Sequence, residues 1–337
     1  MAISGVVYSG KEVQVGISQE ATFGTAIADA GAFVQIAEFD SVSIDYGLTL
    51  DLTPKNRGKR IAYDADVYAS QTGGLRTITL SNVVFRKVEI AEFLYGVFQN
   101  VTEAAATPYM KTFSVSDSQP NFAANAGYFF TLGIKNVSNH DEKFTSCIVQ
   151  ELRLRADMVG GDGRLRGDVV IISGFAATTN AAFSGTWTIN TQAYFDAHLF
   201  DTKTVLTKDV VLYNMEFVIN NNAKRFGNNT SGNCQGYSIG VPELLLTGSV
   251  NIKYDAETVG FLASMLAGTE GVIEIGYDTA TPTDGDIVFD FNEAQLTAVD
   301  HDDNREEGIA RTINFKGVAT AAATPEIRVC DALDQTW

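Results

Sequence analysis

The sequence has no long hydrophobic run. Its longest apolar stretches, such as Val169–Ile172 and Leu244–Leu246, fall far short of the roughly 20 residues a membrane-spanning helix requires. Cysteine is scarce: Cys147, Cys234 and Cys330 are an odd number without CxxC spacing. Neither a disulfide framework nor a zinc site is expected, and three buried thiols are. Histidine is limited to His140, His198 and His301, and the six prolines leave most strands uninterrupted. Positive charge is short as well: 24 Lys+Arg against 41 Asp+Glu give a formal net charge of −17. Such a surface repels phosphate, which excludes tight non-specific nucleic-acid binding by counterion release but not passing contact. The opening residues lack a basic segment leading into an apolar one, so no secretory signal is expected.

What is present is a folded chain. Hydrophobic residues make up 45% of the 337 and charged residues 19%, enough for a sizeable core in one large domain or two. Alternation of period two recurs at Val13–Ile17, Val34–Ile36, Val42–Ile44, Thr77–Leu80, Leu152–Leu154, Ile273–Ile275 and Thr312–Phe315, the pattern of strands with one buried face. Gly73-Gly74, Gly160-Gly161-Asp162-Gly163 and Asp284-Gly285-Asp286 punctuate it as turns. Two segments carry a helical stripe instead. One is Ile90, Phe93, Leu94, Val97 and Phe98; the other is Phe261, Leu262, Met265 and Leu266, with Asp255 as its N-cap.

These helices align the chain with itself. An offset of 168 residues places Glu89 on Glu257, Phe93-Leu94 on Phe261-Leu262, and Thr77–Lys87 on Leu245–Asp255. Upstream, Val42-Ser43-Ile44 pairs loosely with Phe217-Val218-Ile219 at an offset of 175; downstream, Glu151–Leu154 falls on Glu293–Leu296 at 142 and Gly174 on Gly317 at 143. The first half therefore carries about 26 extra residues after its helix, read as a hairpin or loop inserted at about 99–128. The expected architecture is mainly β: two tandem β-sandwich or barrel domains, 1–183 and 184–337, each flanked by one α-helix and joined through the Ala176–Gly185 stretch.

No catalytic constellation emerges. GxSxG and Walker loops are missing, and Gly160–Gly163 has acidic company and reads as a hairpin turn. The run Asp300–Asn304 faintly resembles a calcium loop, but Arg305 and Arg311 stand where Gly and a bidentate Glu are needed, so it reads as a solvated turn. No cofactor or metal is expected. Charge is unevenly placed: Lys55, Arg57, Lys59 and Arg60 cluster in the first long loop, Lys224 and Arg225 in the second. In an acidic protein such loops seek the acidic face of another copy, for which Asp300, Asp302, Asp303, Glu306 and Glu307 are the candidates.

The opening Val13–Ala26, with Glu20-Ala21-Thr22-Phe23-Gly24-Thr25-Ala26, resembles the G-x-E-x-T-[YF]-G-T-A start of bacteriophage tail tube (major tail) proteins. The helix after a long loop and the closing strands at 152–174 and 296–317 are similar to that family as well, although the second half lacks the Thr-Phe-Gly-Thr start. The resemblance implies tandem tail-tube-like domains and no catalysis. It also implies self-assembly into stacked rings, with three doubled chains making a pseudo-hexamer, and the loops 45–74 and 220–242 locking successive rings. Further implied partners are a tape measure, a terminator and a baseplate or tip protein. DNA would pass through the lumen without tight binding, in a virion made in the host cytoplasm. The alternatives are another β-rich virion protein (a tail terminator or capsid decoration protein), a carbohydrate-binding β-sandwich, and a β-rich hydrolase.

Overall fold

The computed structural model describes residues 13–28, 33–47, 49–51, 68–70, 75–104, 108–116, 118–135, 141–179, 183, 186–228, 234–240, 243–256, 258–277, 284–304, 308–320 and 324–331. The chain is mainly β, with large sheets and two α-helices among those residues. Its elements begin with β1 (Gln14–Gln19), β2 (Val34–Gln35), β3 (Ser41–Asp45), β4 (Thr49–Asp51), β5 (Tyr68–Ser70), β6 (Arg76–Val84) and α1 (Lys87–Phe98). Then come β7 (Val101–Glu103), β8 (Tyr109–Ser114), β9 (Phe130–Lys135), β10 (Glu142–Asp157), β11 (Arg166–Ser173), β12 (Thr178–Thr179) and β13 (Thr188–Ile189). The second half continues with β14 (Thr202–Val205), β15 (Lys208–Asp209), β16 (Leu212–Asn220), β17 (Lys224–Asn228), β18 (Cys234–Ser238) and β19 (Leu245–Lys253). It closes with α2 (Phe261–Leu266), β20 (Glu270–Tyr277), β21 (Ile287–Asn304), β22 (Gly308–Gly317) and β23 (Glu326–Asp331).

The pairing order of the first half is β2, β1, β9, β10, β11, β6, β3, every neighbour antiparallel. In the second half it is β15, β14, β20, β21, β22, β19, β16, again antiparallel throughout. Each series carries a short strand against the start of its long one, β12 on β10 and β23 on β21. Each also has a separate hairpin between its third strand and the strand before the helix, β4–β5 and β17–β18.

Register matches too: Val42 lies opposite Leu80 and Ile44 opposite Ile78, while Phe217 lies opposite Gly248 and Ile219 opposite Leu246. These pairs stand 175 and 168 residues apart, the offsets of the sequence alignment. Farther along, pairing through β11 and β22 relates Leu152 to Leu296 and Val169 to Phe315. Those offsets are 144 and 146 rather than 142 and 143. Bulges at Val149/Glu151 and Leu296/Ala298 shift the register, and residue types do not announce a bulge.

Helix α1 follows its apolar period and is buried along most of its length, Ile90, Phe93, Leu94 and Val97 included. Gly96 lets it settle on β10: a Cβ there would stand 2.7 Å from a methyl of Val149. The helix ends at Gln99, left-handed with φ 58°, whose side-chain amide donates to the Gly96 carbonyl. In the stretch after it, β7 and β8 form a hairpin whose β8 pairs with β23 of the second half. Lys111 and Asp331, both buried, meet across that ladder at 2.6 Å.

Two expectations need correction. The second helix spans only Phe261–Leu266 and starts at Gly260; Asp255 instead accepts from the Thr258 amide in the preceding turn. Of its apolar stripe only Phe261 is buried, because α2 packs on β21 with no counterpart of the β8 and β23 cover over α1. Asp300–Asn304 is not a turn but the end of β21, paired from Thr312 to Gly308, since the β21–β22 ladder runs to the tip of its hairpin. The stretch after residue 183 adheres to the first half: Trp187 covers Gly16, β13 pairs with β2, and Leu165 donates to the Phe195 carbonyl.

Candidate functional site

The two halves are joined edge to edge. Strand β10 bends at its bulge so that its start pairs with β9, while residues 151–155 pair on one side with β11 and residues 151–157 on the other with β16. Leu152 faces Ile219 and Leu154 faces Phe217 across this joint, and all four side chains are fully buried. One sheet therefore runs β3, β6, β11, β10, β16, β19, β22, β21 through both halves. Among the described residues, no strand pairs with the outer edge of β3 or with the outer edge of β21 beyond Gln295.

A second contact seals the joint. The opening Glu20–Ala26 segment folds back on β9 and β10, and the buried Glu20 carboxylate accepts from the Ser146 amide at 2.8 Å and from the Ser146 and Thr131 hydroxyls at 2.5 Å. Burial raises the Glu20 pKa above its ordinary value, against the pull of those donors. Gly24, at φ 83°, brings its amide within 2.7 Å of the Ser146 hydroxyl, a turn that an L side chain resists. Phe23 then packs edge-on against Phe129, Phe175 and Tyr237 at 5.3 to 5.9 Å between ring centroids. Tyr237 comes from β18, so the opening motif anchors the second half's hairpin on the first. Beside it lies an open cleft of about 780 Å³, lined by Phe23, Phe122, Phe175 and Phe226, with Phe226 exposed.

The charged candidates that are described lie toward opposite ends of the sheet. Both hairpins, β4–β5 and β17–β18, leave from the end marked by Asp45, Ser173, Asn220 and Leu245. The turns after β10 and β21 lie at the other end, beside Val84, Asn214 and Lys253. The length of β19 sets these ends roughly 27 Å apart at about 3.3 Å per residue. Lys224 is exposed on β17 and Arg225 is half-buried, while Lys55, Arg57, Lys59 and Arg60 lie outside the described residues. Asp300 is exposed on β21; Asp302 and Asp303 continue that strand with side chains outside the description, as are Glu306 and Glu307 altogether. Among the described residues no ion pair joins Lys224 to Asp300.

No family model and no curated protein matches this chain. Among the described residues no three His, Cys, Asp or Glu side chains are grouped to hold a metal, and no helix is long and apolar enough to cross a membrane. The three cysteines are free and buried, and burial pushes the Cys330 thiol up to about 11. Sequence reasoning missed the open edges and the Ser146–Tyr237 contact. The only signal for the edges was the unprotected composition of Ser41–Asp45, with no Lys, Pro or Gly.

Proposed function

We propose that this chain is a self-assembling structural subunit of the phage tail-tube type, built from two tandem tail-tube-like domains. Copies form rings, three chains making six domains, and the rings stack into a conduit in the virion. The observation that carries this reading is the strand-for-strand recurrence of pairing order, combined with an in-chain joint between one unit and the next. A unit that joins its own repeat through one pair of edges, and whose equivalent pair has no strand partner among the described residues, is suited to heterologous contacts that close into a ring.

Charge adds support. Lys224 and Arg225 toward one end of the sheet and Asp300 toward the other would give stacked copies complementary charges, and a net charge of −17 suits a channel that passes DNA without holding it. The role needs no catalysis and no cofactor. Tape measure, terminator and tip proteins would be the partners at the tube's ends. Negative-stain electron microscopy of the concentrated protein tests the reading: hollow rings or tubes are expected, and a solution mass that stays monomeric under every assembly condition overturns it.

A further inference from the structure

Resting on that reading, one surface takes a specific partner. We infer that the outer edge of β3 pairs antiparallel with β21 of a second copy, over Leu296–Asp300, and that the same contact covers α2 of that second copy.

The register follows from the joint already present in the chain. There, β16 residues 214–220 pair with β10 residues 151–157. Strand β3 stands to β6 as β16 stands to β19, and β21 stands to β22 as β10 stands to β11. Carrying the joint across, with the bulge between Leu296 and Ala298 absorbing one residue, sets Ile44 opposite Leu296, Ser43 opposite Ala298, Val42 opposite Val299 and Ser41 opposite Asp300. Ile44 then meets Leu296 and Val42 meets Val299, the small Ser43 and Ala298 face each other between them, and the polar Ser41 and Asp300 meet at the rim, an agreement the transfer does not presuppose.

Two further observations point the same way. Leu154, Phe217 and Ile219 are fully buried at the in-chain joint, whereas their counterparts Val299, Val42 and Ile44 are only half-buried. Their packing is incomplete by one neighbour. The helices differ in the same sense: α1 lies on β10 under β23 of the next half, and Asn221 of that half donates to the Val97 carbonyl at the helix end. Helix α2 lies on β21 with Leu262 and Leu266 exposed at 44% and 76%. The half that would cover them belongs to another copy, and the β3 edge, without charged or proline gatekeepers before Asp45, is open to it.

Paired cysteines read this contact directly. In a Ser41→Cys/Asp300→Cys variant under mild oxidation, a ladder of disulfide-linked multimers is expected on a non-reducing gel. The two single variants and a Ser41→Cys/Gln295→Cys control give no ladder, since the native thiols are buried. A Leu262→Glu/Leu266→Glu variant, changed only at exposed positions, should raise the concentration needed for assembly at least tenfold while leaving the circular dichroism unaltered. Rings or tubes that form without any ladder overturn the edge assignment and leave the tail-tube reading standing. A protein that never assembles overturns both, and unchanged assembly of the leucine variant removes α2 from the contact.

Discussion

The Tyr237 hydroxyl donates to the Ser146 carbonyl at 2.6 Å, tying the second half's hairpin to the first half's longest strand. The same hydroxyl accepts from the Gly174 amide at 2.8 Å, and Ser146 itself, at φ 47°, is held by Glu20. One buried phenol thus serves two backbone groups that have left their ladders.

Tyr237→Phe keeps the ring and removes the oxygen. It leaves a buried carbonyl and a buried amide without their partner, so a loss of about 1–3 kcal/mol is expected in urea denaturation. A midpoint equal to that of the parent protein would mean that water replaces the phenol.

Corresponding rows of the two halves are filled by different volumes. Across the first half's sheet Val42, Leu80, Val169 and Leu152 lie side by side; across the second, Phe217, Gly248, Phe315 and Leu296 do. Gly248 has no side chain because two rings meet above it: a Cβ would stand 2.2 Å from Phe315 and 2.8 Å from Phe217. Gly248→Leu alone should therefore cost about 3 kcal/mol, the upper end of the usual overpacking range. Adding Phe217→Val and Phe315→Val rebuilds the first half's row and should recover most of that loss in thermal melts. If the triple variant is no more stable than Gly248→Leu, the two rows are not interchangeable and the equivalence of the sheets fails.

Glu89 links stability to pH. It is buried on α1, its carboxylate accepts from the Ala37 amide at 3.0 Å, and burial raises its pKa from 4.5 to about 7 despite that bond and nearby Arg86. Between those values the unfolded chain has released this proton and the folded chain still holds it, so stability falls as pH rises from about 4.5 to 7 and then levels. The full drop from this group is roughly 3 kcal/mol at about 1.4 kcal/mol per unit. Glu89→Gln should flatten the profile by that amount in guanidinium titrations at pH 5 and pH 8; equal slopes in the two proteins would show that Glu89 is already ionised when folded.

Much of this architecture was legible beforehand. The period-two runs marked β1, β2, β3, β6, β10, β20 and β22, the helical stripe marked α1, and the offsets of 168 and 175 survive as backbone register. The shorter helix was overstated because Leu262 and Leu266 repeat an apolar stripe yet are left exposed. The acidic run Asp300–Asn304 looked like a turn because its composition is that of one, yet the ladder with β22 holds it extended.

Alternation and charge balance are local properties, written residue by residue, and the sequence alone determined them: a β-rich, acidic chain. Which edges pair is not local. The joining of β10 to β16, the passage of the β7–β8 hairpin into the second half's sheet, and the edges of β3 and β21 that have no partner strand among the described residues depend on bulges and on which volumes compensate across a row. Only the tertiary structure decided those, because hydrogen-bonded edges are alike in composition and differ only in what stands beside them.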